Sequence, residues 1–141
     1  MNTNKQIVQQ LQQAISAKMT DSSVSIEAYF TDDAIWHLPK STAESGGGDL
    51  VGKVAVLAMF EGGIEHFYQP DTMDMQYLST ICEGDLVHSR FTLTAKTANG
   101  ADYANDYQAL YKVTNGKVAE VWEMFDTAYQ FATLSITAEY A

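Results

Sequence analysis

This 141-residue chain has one cysteine, two prolines, few positive charges and no long apolar run, and each shortage removes a class of protein. Cys82 alone cannot close an intramolecular disulfide, and it supplies no Cys-x-x-Cys or Cys/His ligand spacing. The longest apolar stretch, residues 54–60, falls far short of the roughly 18 residues that suggest a membrane span. His37, His66 and His88 are scattered, with no H-x-H or H-E-x-x-H spacing, so no metal site is expected. Eight Lys plus Arg against eighteen Asp plus Glu give a formal charge of −10, which repels phosphate backbones and anionic lipid surfaces. Nucleic acid and membrane are therefore not expected partners. The opening residues carry no apolar block of the secretory kind, and with the lone cysteine this points to a cytoplasmic setting.

What is present suits a folded chain: 46% hydrophobic residues, 11% aromatic and 18% charged. The length matches one domain over residues 1–141, and no internal repeat is visible. Thr3-Asn4-Lys5-Gln6 has the form of a capping box, and Ile7, Leu11, Ala14, Ile15 and Met19 follow at helical spacing. Thr20 or Asp21 is placed to cap a second, short helix carrying Val24, Ile26 and Tyr29. A strand over 34–38 ends at Pro39. Residues 40–49, with Gly46-Gly47-Gly48, read as a mobile loop suited to a lid. Residues 51–68 read as the longest helix, weakened at Gly62-Gly63.

From Met73 the pattern changes to runs rich in Thr, Val, Tyr and Phe, separated by Glu83-Gly84-Asp85, Asn99-Gly100 and Asn115-Gly116. Four antiparallel strands in a meander follow. Helices first and strands later indicate an α+β fold, with three N-terminal helices packed on one face of a curved sheet. Gly47 to Lys53 spells G-x-x-x-x-G-K, but Val54 stands where a phosphate-binding loop needs Ser or Thr, so no nucleotide or other cofactor is expected.

Three segments carry a resemblance: Tyr29-Phe30-Thr31-Asp32-Asp33-Ala34, Gly52-Lys53, and Gly116-Lys117-Val118 through Glu123-Met124-Phe125-Asp126-Thr127. In these and in its order of elements the chain resembles the nuclear transport factor 2-like superfamily, and within it the SnoaL-like, ketosteroid-isomerase-related branch. The resemblance implies a cone-shaped, strongly curved sheet wrapped around the helices, a pocket between them, and a homodimer paired through the sheet's outer face. It does not choose a reaction, because the superfamily holds isomerases, cyclases, epoxide hydrolases and non-catalytic binding domains.

Asp126 resembles the carboxylate that SnoaL-like cyclases and limonene-epoxide hydrolases use as a base, and alternation puts it on one face with Trp122 and Met124. Arg90 and His88 share a polar strand face with Thr92 and Thr94, from which they would orient Asp126 or transfer protons. Asn105, Tyr107, Ala109, Tyr111 and Val113 share the next strand's apolar face. Together with Trp36, Met59 and Phe60 they would enclose an apolar or aromatic ligand, with Asn105 and Tyr107 supplying polar anchors. Two specific chemistries are disfavoured. Thr92 stands where the epoxide hydrolases have a second carboxylate, and Leu38 stands where the steroid isomerases have their base. The expectation is a small-molecule-binding protein, either an acid–base isomerase, cyclase or hydrolase, or a non-catalytic binding or dimerisation module.

Overall fold

The computed structural model describes residues 2–135, so the ends of the 1–141 span lie outside the described residues. Helix α1 (Asn4–Thr20) begins at the expected capping box: the Thr3 hydroxyl accepts from the Gln6 amide while the Gln6 side chain accepts from the Thr3 amide. Its buried stripe is Ile7, Val8, Leu11, Ile15 and Met19. The second helix expected from the sequence is only a 3₁₀ turn over Glu27–Tyr29, because the chain enters strand β1 (Phe30–His37) four residues earlier than alternation suggested.

After β1 the chain makes a 3₁₀ helix over Lys40–Ser45 rather than an open loop, followed by a short strand β2 (Asp49–Val51). Thr42 clasps this segment: its hydroxyl donates to the Pro39 carbonyl at 2.7 Å and accepts from the Gly48 amide at 2.9 Å. Gly47 lies so close that a Cβ there would meet the Thr42 hydroxyl oxygen at 2.1 Å. The helix expected to be the longest is α2 (Lys53–Ala58), only six residues, running into a π turn over Met59–Gly63. The break falls at Gly62, whose φ of 137° is open mainly to glycine. Lys53, from the nucleotide-loop-like run, is spent on an ion pair with Asp32 at 2.9 Å.

The meander forms as expected: β3 (Asp74–Glu83), β4 (Leu86–Lys96), β5 (Asp102–Thr114) and β6 (Lys117–Phe125) pair antiparallel in sequence order. Strand β1 then joins β6 in parallel and β2 joins β1, giving the six-stranded order β2-β1-β6-β5-β4-β3. A third helix, α3 (Thr127–Leu134), follows β6 directly, so the helices are not all N-terminal. The fold is α+β, and α1 packs on the inner face of the sheet beside β3 and β4.

Alternation in β4 and β5 separates two faces clearly. Val87, Ser89, Phe91 and Leu93 are buried, as are Tyr103, Asn105, Tyr107, Ala109, Tyr111 and Val113. Strand β6 carries a bulge between the pairs Lys112–Glu120 and Val113–Val118, so Val118 and Val121 both face inward although three residues apart. No helix among the described residues is long and apolar enough to cross a membrane.

Candidate active site

The inner face of the sheet, the C-terminal part of α1, the 3₁₀ turn after β1 and the broken helix over 53–66 enclose a cavity of about 350 Å³. That is at the small end of the range typical of ligand pockets, roughly 300–1,000 Å³. Trp36, Phe60, Tyr77, Phe91, Tyr107 and Tyr111 give it an aromatic wall. Phe91 and Tyr107 stack at 5.2 Å and 12°, and Tyr107 leans on Phe125 at 4.7 Å. Trp36 is held edge-on by Phe60 at 5.4 Å and by Tyr111 at 6.3 Å.

One acidic or basic side chain appears among the described lining residues, Glu123 on β6. Its register partner on β5 is Ala109, whose methyl group leaves space between Tyr107 and Tyr111. Removal from water pushes the Glu123 carboxyl up to about 7. The Trp36 indole acts in the opposite direction, as a donor beside the carboxyl. Yet the Trp36 Nε1–H is buried without an acceptor in hydrogen-bonding geometry. The indole is thus a neighbour of the carboxyl and not its bonded partner.

The surrounding tyrosines are kept protonated. Burial raises the Tyr77 hydroxyl to about 12, and the charge of Glu123 adds to that rise. Tyr107 and Tyr111 move in the same direction, again chiefly through burial. The Tyr107 hydroxyl meets that of Tyr103 at 2.6 Å, and the Asn105 amide donates to Tyr103 at 2.9 Å and to the Asp126 carbonyl at 3.0 Å. Asn105 is therefore a bracing residue behind the wall, and it is not part of the cavity lining.

Of the residues singled out in the sequence, Trp36, Met59, Phe60 and Tyr107 line the cavity. The expected assembly of Asp126, Arg90 and His88 does not form there. Asp126 lies just past the end of β6, where its carboxylate accepts from the Tyr129 amide at 3.0 Å and caps α3. Arg90 is exposed, and His88 hydrogen-bonds Gln108 at 3.0 Å; both stand on the outer face of the sheet. Trp122 and Met124 do share a face, as alternation required, but it is the outer one. Trp122 stacks on His37 at 5.5 Å, and Met124 is 62% exposed. The opposite parity, Val121-Glu123-Phe125, faces inward: Val121 is buried in the core, and Glu123 and Phe125 line the cavity. Glu123 was missed in the sequence; a glutamate between two apolar residues on one strand face is the signal that could have found it.

The sequence profile of the SnoaL-like domain matches residues 8–121. No curated protein sequence matches the chain. Among solved structures, a nuclear transport factor 2-like protein of unknown function from Burkholderia pseudomallei K96243 superposes with a TM-score of 0.78 at 18% identity, covering 95% of this chain and 99% of that one. TerC, co-crystallised with polyporic acid, gives 0.75 at 19% identity over 89% of this chain and 96% of its own. A putative isomerase from Bacillus subtilis gives 0.77 at 12% identity, with 96% and 98% covered. At such identities the structures speak for the fold alone, and the profile match assigns the family. This chain belongs to the SnoaL-like family of the nuclear transport factor 2-like superfamily, a family of small-molecule-binding and isomerase or cyclase proteins.

Proposed function

We propose that the protein binds a small, largely apolar ring compound in the cavity and acts on it by proton transfer, with Glu123 as the acid–base group. The observation that carries this is a lone carboxyl set in an aromatic wall and brought to about 7, where it exchanges protons readily near neutrality. Asp126 lacks this placement, because its carboxylate is occupied as a helix cap outside the cavity. TerC, which shares the fold, was co-crystallised with polyporic acid, a small molecule.

The test is a turnover screen of small aromatic and alicyclic compounds read by mass spectrometry, with Glu123→Gln as the control. Conversion by the wild type that disappears in Glu123→Gln supports the assignment; conversion that survives the substitution overturns it. A second reading is a non-catalytic binding module, favoured by the absence of a second acidic or basic side chain among the described lining residues. Ligand capture without conversion, equal in wild type and Glu123→Gln, would select it.

We further propose that two copies pair through the outer sheet face. That face carries a row from Trp122 on β6 through Leu110 and His88 to Ile81 on β3, flanked by Met124, and Ile81 is 65% exposed. Ile81→Asp should shift the sedimentation coefficient towards the monomer value.

A further inference from the structure

His37 is the last residue of β1, and both of its ring nitrogens meet carboxylates. Nδ1 lies 2.8 Å from Asp49 Oδ1 at the start of β2, and Nε2 lies 2.6 Å from Glu120 Oε2 on β6. An ionised carboxylate only accepts and a neutral imidazole carries one N–H, so the double contact is complete only in the imidazolium. The Trp122 ring lies nearly flat against the imidazole, at 5.5 Å and 16°, and an aromatic face also favours a cation. The charges acting on the ring are those of Asp49 and Glu120. Beyond them, Lys112 on β5 stands opposite Glu120 in register, and Lys40 opens the 3₁₀ segment that follows β1.

The two strands that His37 joins are connected by a strap over residues 38–48, whose Leu38, Thr42, Ser45, Gly46 and Gly47 line the cavity. The Thr42 hydroxyl, bonded to Pro39 and Gly48, fixes the strap internally, so it moves as a unit. Its two ends are closed by the Leu38 amide, which donates to the Gly48 carbonyl at 2.9 Å, immediately before Asp49. We propose that His37 is a proton-operated latch on this strap: the imidazolium holds Asp49 and keeps the cavity covered, and loss of its proton releases Asp49 and loosens the cover. The neutral ring has one N–H to give, and Glu120 keeps it, because that contact is the shorter and the Glu120 side chain is 29% exposed against 63% for Asp49. Nδ1 then turns a lone pair towards the Asp49 carboxylate, and the two repel. Burial lowers the pKa of the ring, but the bonds to Glu120 and Asp49 outweigh it and hold it above the usual 6.5. The latch is therefore shut below 6.5 and opens as pH rises through the folded-state value. It acts on entry to the cavity, whatever chemistry takes place inside.

Hydrogen exchange followed by NMR at pH 6 and pH 9, with the intrinsic pH dependence of exchange divided out, tests the latch. In the wild type the Leu38 amide should lose protection about three- to fivefold between the two pH values, the scale of a partly exposed ion pair. The Gly52 amide, which donates to the Ala34 carbonyl at 2.8 Å at the far end of the β1–β2 pair, is the reference and should not follow. In Asp49→Asn the side-chain amide can donate to the Nδ1 lone pair of the neutral ring, so Leu38 should keep its protection at pH 9. The Trp36 indole N–H on the cavity wall reports the entry of water, and its exchange should rise with that of Leu38 in the wild type relative to Asp49→Asn. The Glu123 carboxyl titrates in both proteins and cancels from that comparison. Leu38 protection that is unchanged in the wild type, lost equally at Gly52, or lost equally in Asp49→Asn overturns the latch. Loosening at Leu38 with no rise at the Trp36 indole overturns its control of the cavity.

Discussion

Glu123 on β6 stands directly opposite Ala109 on β5, and the niche for its carboxyl exists because Ala109 is the one small residue between Tyr107 and Tyr111 on that face. Filling this niche should therefore displace the carboxyl before it disturbs the fold. Ala109→Leu is expected to cost about 1–3 kcal/mol through overpacking and to abolish ligand binding. Thermal unfolding checks the first, and titration with a ring compound that the wild type captures in the screen checks the second.

Glu123 also links the site to stability. Its carboxyl is held at about 7 in the folded chain, above the ordinary 4.5, so the native state retains a proton that the unfolded chain has released. Stability must then fall as pH rises from about 4.5 to about 7 and level off beyond. Glu123→Gln removes this titration and should make the protein more stable at pH 8 by about 1–3 kcal/mol. Urea unfolding of both proteins at pH 5 and pH 8 measures it; an unchanged difference between the two pH values would contradict the placement of the carboxyl away from water.

His37 behaves in the opposite sense of cause. Burial of its ring lowers its pKa, but hydrogen bonds to Glu120 at 2.6 Å and Asp49 at 2.8 Å, with their charges, outweigh this and hold it above the usual 6.5. The imidazolium thereby ties β1 to β2 and β6 at the two ends of the segment that covers the cavity. A raised pKa means that the contribution is complete below about 6.5 and disappears as pH climbs through the folded-state value. The difference in melting temperature between wild type and His37→Phe should shrink from pH 6 to pH 9.

Asp126 separates capping from catalysis. Its carboxylate accepts from the Tyr129 amide, so Asp126→Ala should lose about 1 kcal/mol while Asp126→Asn, which still caps, should lose little. Turnover in either variant is expected to persist once a substrate is found. A complete loss of turnover in a well-folded Asp126→Asn would return the base to that position.

The amino-acid sequence by itself determined the local structure whose signals lie within a few residues. The Thr3–Gln6 box starts α1, Asn115-Gly116 turns β5 into β6 with both residues at positive φ, and alternation in β5 puts Tyr107, Ala109 and Tyr111 together. The family-specific segments likewise pointed to the right superfamily. Other features depended on contacts distant in sequence. Alternation states which residues share a face of a strand, but not which face another element will cover. Only the packing of α1 and of the segment after β1 turned the Val121-Glu123-Phe125 face inward, with Glu123 and Phe125 on the cavity, and left Trp122, Met124, His88 and Arg90 outside. The short α2 was decided likewise, because a helix-compatible run still breaks where Gly62 can adopt φ 137° and the chain must bend over the sheet. The carboxyl that matters most was visible as a residue in the sequence, but its removal from water is a property of the assembled walls around it.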